Sequence, residues 1–251
     1  MTELTRTSDW SAGAQPFYPR SLDLCDTGRD RVSPQSDNRY RRVLGDAAWQ
    51  RLPMAIRKRF SKPQNAGQST VYRGHVARCE LSTAGWIAAN LARVIGAPLP
   101  LDHGVFQPGE VPATVIVEDM PNAAGTGQVW TRVYGRNGLF SQVISSAKRF
   151  AGATGLEEYL GLGLVMRLTV SEAAGALVFR SAGYHWQFGR QRINLPAALS
   201  PGRCEIVHRA ECNANGSPSA HDFTFSLTLT HPLFGQLVHQ VACFTDRHAS
   251  E

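Results

Sequence analysis

Residues 223–244 read FTFSLTLTHPLFGQLVHQVACF. Phe223, Phe225, Leu227 and Leu229 alternate with Thr224, Ser226, Thr228 and Thr230. Successive side chains of a strand point to opposite faces, so the apolar set shares one face and the hydroxyl set the other. HPLFGQ then reverses the chain, with Pro232 and Gly235 as turn residues, and LVHQVACF returns. The stretch is an antiparallel hairpin, and its first role is to hold a sheet together.

The same two-residue rhythm spreads through the C-terminal two-thirds of the chain. Strands are expected at 70–80, 113–118, 127–136 and 141–150, then as one long strand at 157–170. EAAG at 172–175 is a turn, after which ALVFRSAGYHWQF continues as strand, and CEIVHRAECNAN at 204–215 adds another. AGATGLEEYLGLG reads as glycines that let a strand bend sharply. About eight strands joined by turns make an antiparallel sheet, and so many curl or close.

Two helical stretches precede most of these strands. In GDAAWQRLPMAIRKRF, residues 45–60, the apolar residues Trp49, Leu52, Ile56 and Phe60 fall on one helical face. Asp46 suits the N-cap, and Pro53 either kinks the helix or opens a second one. Arg57, Lys58 and Arg59 then sit where cations meet the negative end of the helix dipole. Ser82 or Thr83 caps a second helix that Gly96 and Pro98 stop. The fold class is therefore α+β: a strongly curved antiparallel sheet or partly closed β-barrel of about eight strands, with two N-terminal helices packed on it. Residues 1–37 are polar and aperiodic and read as a disordered tail, leaving 38–248 as a single domain.

The chain has 251 residues, 43% of them apolar, enough for a core without disulfides or metal. Its five cysteines are odd in number and show no CxxC spacing, which points to a reducing compartment. No signal-peptide core opens the chain and no apolar run is long enough to span a bilayer, so a cytoplasmic location is expected. The net charge of +6 hints at nucleic acid, but residues 38–63 hold eight Lys or Arg against one Asp and account for the excess. The rest is nearly neutral and shows no basic face with interleaved aromatics, so nucleic acid is not an expected partner.

The sequence lacks a phosphate-binding glycine loop, a GxSxG and an HExxH, and no two of its eight histidines stand at a ligand-pair spacing. No metal or cofactor is expected. The polar candidates lie inside strands. Arg132 stands between Trp130 and Tyr134 on one strand face. If that face is inward, Arg132 needs a carboxylate, which Glu157 or Glu158 supplies, in a structural ion pair or in a site for an anionic head group. Tyr184 and His185, with Trp186, cluster at a strand end and either line a pocket mouth or edge the core. His231 opens the HPLFG turn, where hydrogen bonding to the turn backbone competes with a role as base.

WTRVYG, SQVISS, EEYLGLG, SAGYHW, LPAALSPG and FTFSLTLTHPLFGQL, opened by RVLGDAAWQRLP, resemble domain-of-unknown-function family 4166 over about residues 38–246. That family stands alone or is appended to saccharopine-dehydrogenase-like oxidoreductases. The resemblance implies no established activity, only work beside such an enzyme or on a small apolar metabolite. Three functions are thus expected: binding of a small apolar or lipid-like ligand in a β-sheet cavity, an accessory module for that oxidoreductase, or an enzyme using a buried Glu/Arg pair, with Glu157 or Glu158 and Arg132 or Tyr184 in acid–base roles.

Overall fold

The computed structural model describes residues 37–62, 69–94, 99, 111–120, 127–135, 141–212 and 218–245. The expected tail therefore lies, apart from Asp37, outside the described residues. Three short helices, α1 (Arg39–Leu44), α2 (Asp46–Arg51) and α3 (Met54–Phe60), precede strand β1 (Ser69–Leu81) and helix α4 (Thr83–Val94). The strands β2 (Val111–Asp119), β3 (Gly127–Tyr134), β4 (Gln142–Arg149), β5 (Leu156–Gly161) and β6 (Leu164–Ala173) follow. The last are β7 (Ala176–Phe188), β8 (Gln191–Asn194), β9 (Arg203–Cys212), β10 (Pro218–His231) and β11 (Gly235–Thr245).

The eleven strands form one sheet in the order β6-β5-β4-β3-β2-β1-β11-β10-β9-β7-β8, and β6 also pairs with β7. That last pairing closes ten strands into an antiparallel barrel and leaves β8 as an outer addition. Strand β7 is long enough to meet β9 through Leu177–Arg180 and β8 through His185–Phe188. Closure removes the sheet edges that would otherwise expose unpaired backbone groups. The deciding hairpin behaves as read: Phe223 pairs with Phe244 and Leu229 with Val238, and both pairs are buried.

The structure differs from the sequence reading in four places. Residues 157–170 are not one strand. Leu162 (φ 41°) and Gly163 (φ 80°) adopt the left-handed conformation and turn the chain, so the glycines permit a reversal and not a bend. Strand β8 was not expected because its four residues, QRIN, are all exposed and show no apolar alternation. Gly45, not Asp46, precedes α2, while Pro53 opens a second helix, α3, as the second of its two readings has it. Four helices rather than two and eleven strands rather than about eight are described, so the molecule is mostly β; α4, the fourth helix, falls between β1 and β2, where the second helix is expected.

The N-terminal helices close part of the barrel. Tyr40, Trp49, Leu52, Ile56 and Phe60 are buried in the same core as the strands. The Tyr40 ring meets Phe60 edge-on at 4.9 Å, and its hydroxyl donates to Gln128 Oε1 at 2.9 Å. Arg59 lies in the last turn of α3, as expected, but its side chain does more than meet the helix dipole. Its guanidinium lies 3.7 Å from the Phe223 ring centroid, buried, because Arg59 falls three residues after Ile56 on the buried face of α3. The planar cation suits an aromatic face and the aliphatic stem suits a core. Helix α4 packs on β11 and β1. Ser82 Oγ accepts the Gly85 N–H at 3.1 Å, as an N-cap does. A Cβ at Gly85 would stand 1.9 Å from the Leu237 carbonyl oxygen, so glycine sets how closely this helix approaches.

Candidate functional site

Strand parity carries a polar group into the barrel interior. On β3 the inward residues are Gln128, Trp130, Arg132 and Tyr134; on β4 they are Gln142, Ile144, Ser146 and Lys148. Lys148 stands opposite Glu158, and Glu158 opposite Met166, so three strands bring one carboxylate against two cations. Glu158 Oε1 accepts from Ser146 Oγ at 2.6 Å, lies 3.1 Å from Lys148 Nζ, and lies 3.7 Å from Arg132 Nη2. Arg132 Nη1 donates to Ser146 Oγ at 3.2 Å. Lys148 Nζ also sits 4.9 Å from the Trp130 ring centroid.

Burial shapes the charge states. It works to raise the Glu158 carboxyl, but Lys148 and then Arg132 more than offset it and hold the group below its ordinary value. Burial lowers the Lys148 ammonium, against the opposing effect of Glu158. It pushes the Tyr184 hydroxyl up, and the Cys204 thiol up to about 12. His208 is wholly enclosed by rings, among them Phe60 at 5.1 Å and Phe225 at 5.3 Å between centroids. Burial, then Arg59, Lys148 and Arg132, hold its imidazole well below the ordinary value.

Beside this cluster lies a cavity of about 90 Å³. Its polar lining is Arg132, Ser146 and Glu158, in contact with one another, together with Tyr184 and the Tyr134–Gln240 pair, in which the phenol donates to Oε1 at 3.3 Å. Ile144, Met166, Ile206 and Phe225 supply apolar wall. A smaller void of about 20 Å³ shares Arg132, Tyr134 and Phe225 and adds Arg59 and His208. Outside, α4 and the β10–β11 turn line an apolar groove of about 640 Å³. Leu99, Pro201 and Leu229 line both cavity and groove.

Of the residues singled out from sequence, Trp130, Arg132, Tyr134, Glu158 and Tyr184 meet in the barrel interior. Glu157 does not: one residue away on β5, it takes the opposite face and meets Arg192 Nη1 at 3.4 Å. His185 likewise takes the outer face of β7, opposite Val165 and Asn194. His231 serves the turn, its Nδ1 accepting the Leu233 N–H at 3.2 Å and its ring stacked on Phe234. The sequence reading missed Ser146, Lys148 and His208. The first two share the parity of Ile144, a signal available once β3 was taken as inward.

The sequence model of the family described as Domain of unknown function (DUF4166) matches residues 52–244. The chain belongs to this family. The DUF4166 match is trimmed at both ends relative to the expected 38–246, and it contains α3, all the charged residues of the cavity and the deciding hairpin. A comparison with curated proteins finds no match. Among solved structures, a conserved protein of unknown function with a hot dog fold from Alicyclobacillus acidocaldarius is 12% identical. The comparison covers 84% of this chain and 90% of that one, with a TM-score of 0.18, too low to show a shared fold.

Proposed function

We propose that this domain binds a small apolar or lipid-like ligand inside its barrel. One observation carries the reading: a cavity that is apolar over most of its wall and carries a few convergent polar groups, Arg132, Ser146 and Glu158. That is the ordinary make-up of a small-molecule site. The groove against α4 meets the cavity at Leu99, Pro201 and Leu229 and supplies a route of entry. The acid–base alternative gains little from the same geometry, since Lys148 and Arg132 keep the Glu158 carboxyl ionised against the effect of burial.

A second reading, an accessory module for a saccharopine-dehydrogenase-like oxidoreductase, is favoured by the exposed apolar residues Trp86, Ile87, Leu91 and Val94 of α4, the last three of which also line the groove. Gel filtration of the mixture should then show a shifted peak. Among the described residues no disulfide involves Cys79, Cys204 or Cys243, which suits a reducing, cytoplasmic setting. No helix among the described residues is long and apolar enough to cross a membrane.

Native mass spectrometry tests the main reading. The protein purified without detergent should carry a mass excess that disappears on denaturation and appears in a chloroform–methanol extract. A protein of bare sequence mass whose Tm is unmoved by added alkyl alcohols would overturn it.

A further inference from the structure

The charge inside the barrel is unbalanced. The buried charged residues among those described are Arg59, Arg132, Lys148, Glu157 and Glu158, and Glu157 faces outward to Arg192. Among the described residues, the group around Glu158 thus holds two cations, Arg132 and Lys148, against one carboxylate. Arg132 is the cation that lines the cavity itself, and it also lines the smaller void. A guanidinium carries five N–H donors in a fixed fork. That of Arg132 makes one hydrogen bond to the described residues, to Ser146 Oγ, and its ion pair with Glu158 is long at 3.7 Å. Glu158 spends Oε1 on Ser146 and Lys148, while Oε2 is buried. The interior carboxylate is therefore engaged chiefly by Lys148, and the Arg132 fork is left facing a cavity.

Buried cations are costly unless an anion meets them, and a planar fork suits a carboxylate in two-point contact. The rest of the cavity gives such an anion an apolar body. The apolar wall begins beside the charged group, at Ile144 opposite Arg132 and Met166 opposite Glu158, and includes Leu229, which is shared with the groove under α4. In that groove Ile87, Leu91 and Phe234 present half or more of their surface to solvent. The cavity, at about 90 Å³, is smaller than an engineered cavity of ~150 Å³ that takes up benzene. A ligand of lipid-like length must therefore extend out of it, and the Leu99–Pro201–Leu229 boundary is where the space continues.

Building on the ligand-binding reading above, we propose that the ligand is a single-chain monocarboxylate, bound head inward on Arg132, with its chain leaving past Leu229 into the groove along α4. Lys148 and Glu158 position the head by holding Ser146 and the Arg132 fork, and they need not touch it.

Titration calorimetry with decanoate, decanol and decylamine tests this on the wild-type chain, without reliance on any variant. Decanoate should bind at least about tenfold more tightly than decanol, the scale of one charge-assisted contact, and decylamine should give no heat. Arg132→Met should bring decanoate down to the level of decanol while leaving decanol unchanged, and Arg132→Lys should keep part of the preference. Ala88→Trp, which fills the groove at half-buried Ala88, should weaken decanoate about tenfold if the chain lies there. Equal binding of decanol and decanoate would overturn the head-group assignment and leave apolar-ligand binding standing. Binding of none of the three would overturn both. Unchanged decanoate affinity in Ala88→Trp would overturn the outward path of the chain. Tighter binding of decyl phosphate than of decanoate would replace the carboxylate with a phosphate head.

Discussion

Replacing His208 with Phe should make the protein less sensitive to mild acid. The imidazole is wholly buried among aromatic rings, and its Nδ1 has no hydrogen-bond partner among the described residues. Burial, then Arg59, Lys148 and Arg132, hold it well below its ordinary value. The unfolded chain therefore takes up a proton near pH ~6.5 that the folded chain refuses. The sign follows: this contribution is fully present above pH ~6.5 and drains away as the pH falls. For one such histidine the loss between pH ~7.5 and pH ~5.5 is about 1.4 kcal/mol. Phe removes the titration, and the void of about 20 Å³ beside His208 offers room for the extra ring atom. Urea unfolding of both proteins across that range is the assay. The His185 imidazole, also lowered by burial, is common to both proteins and cancels in the difference. The stability difference between variant and wild type should move by ~1.4 kcal/mol in favour of Phe on going to pH ~5.5. Parallel curves for the two proteins would refute a buried neutral His208.

Glu158→Leu leaves Arg132 and Lys148 buried without their carboxylate and should cost about 3–5 kcal/mol in chemical unfolding, whereas adding Arg132→Met and Lys148→Met should recover most of that loss. Gly85→Ala sets a methyl against the Leu237 carbonyl and should lower stability by about 1–3 kcal/mol, read as a fall in Tm; an unchanged Tm would show that α4 is free to lift. Cys204, its thiol pushed up to about 12, should react with iodoacetamide at pH ~8 at least roughly a hundredfold more slowly than a free thiol, as peptide mapping would show. Modification as fast as that of half-buried Cys79 would mean that the cavity opens freely.

Much of the fold was legible because strand parity is a local property. FTFSLTLT, TVIV and VWTRVY display the inward set in the chain itself, and each strand lies where its alternation places it. Closure was not local. It depends on β6 meeting β7 along ten residues, and on a turn at Leu162–Gly163 that glycine spacing alone did not distinguish from a bend. Four-residue β8 carries no apolar face and so no signal. For the site, parity correctly put Trp130, Arg132 and Tyr134 together, and the choice between Glu157 and Glu158 needed the register of β5 on β4. Lys148 and His208 were out of reach from single strands, because a buried Lys or His acquires meaning only from partners on other strands. Arg59 shows the converse: a basic helix end suggests only a dipole contact, but Arg59 falls three residues after Ile56 on the buried face of α3 and reaches the Phe223 ring.

The most direct test of the cavity as a binding site uses the methionine methyl groups. Met166 lines the cavity opposite Glu158, and Met54 stands exposed on α3. In a protein labelled with ¹³C at the methionine methyls, titration with decanoate should shift the Met166 resonance and saturate while Met54 stays in place. A Met166 signal that does not move at any decanoate concentration, or that moves no more than Met54, would contradict an occupied barrel.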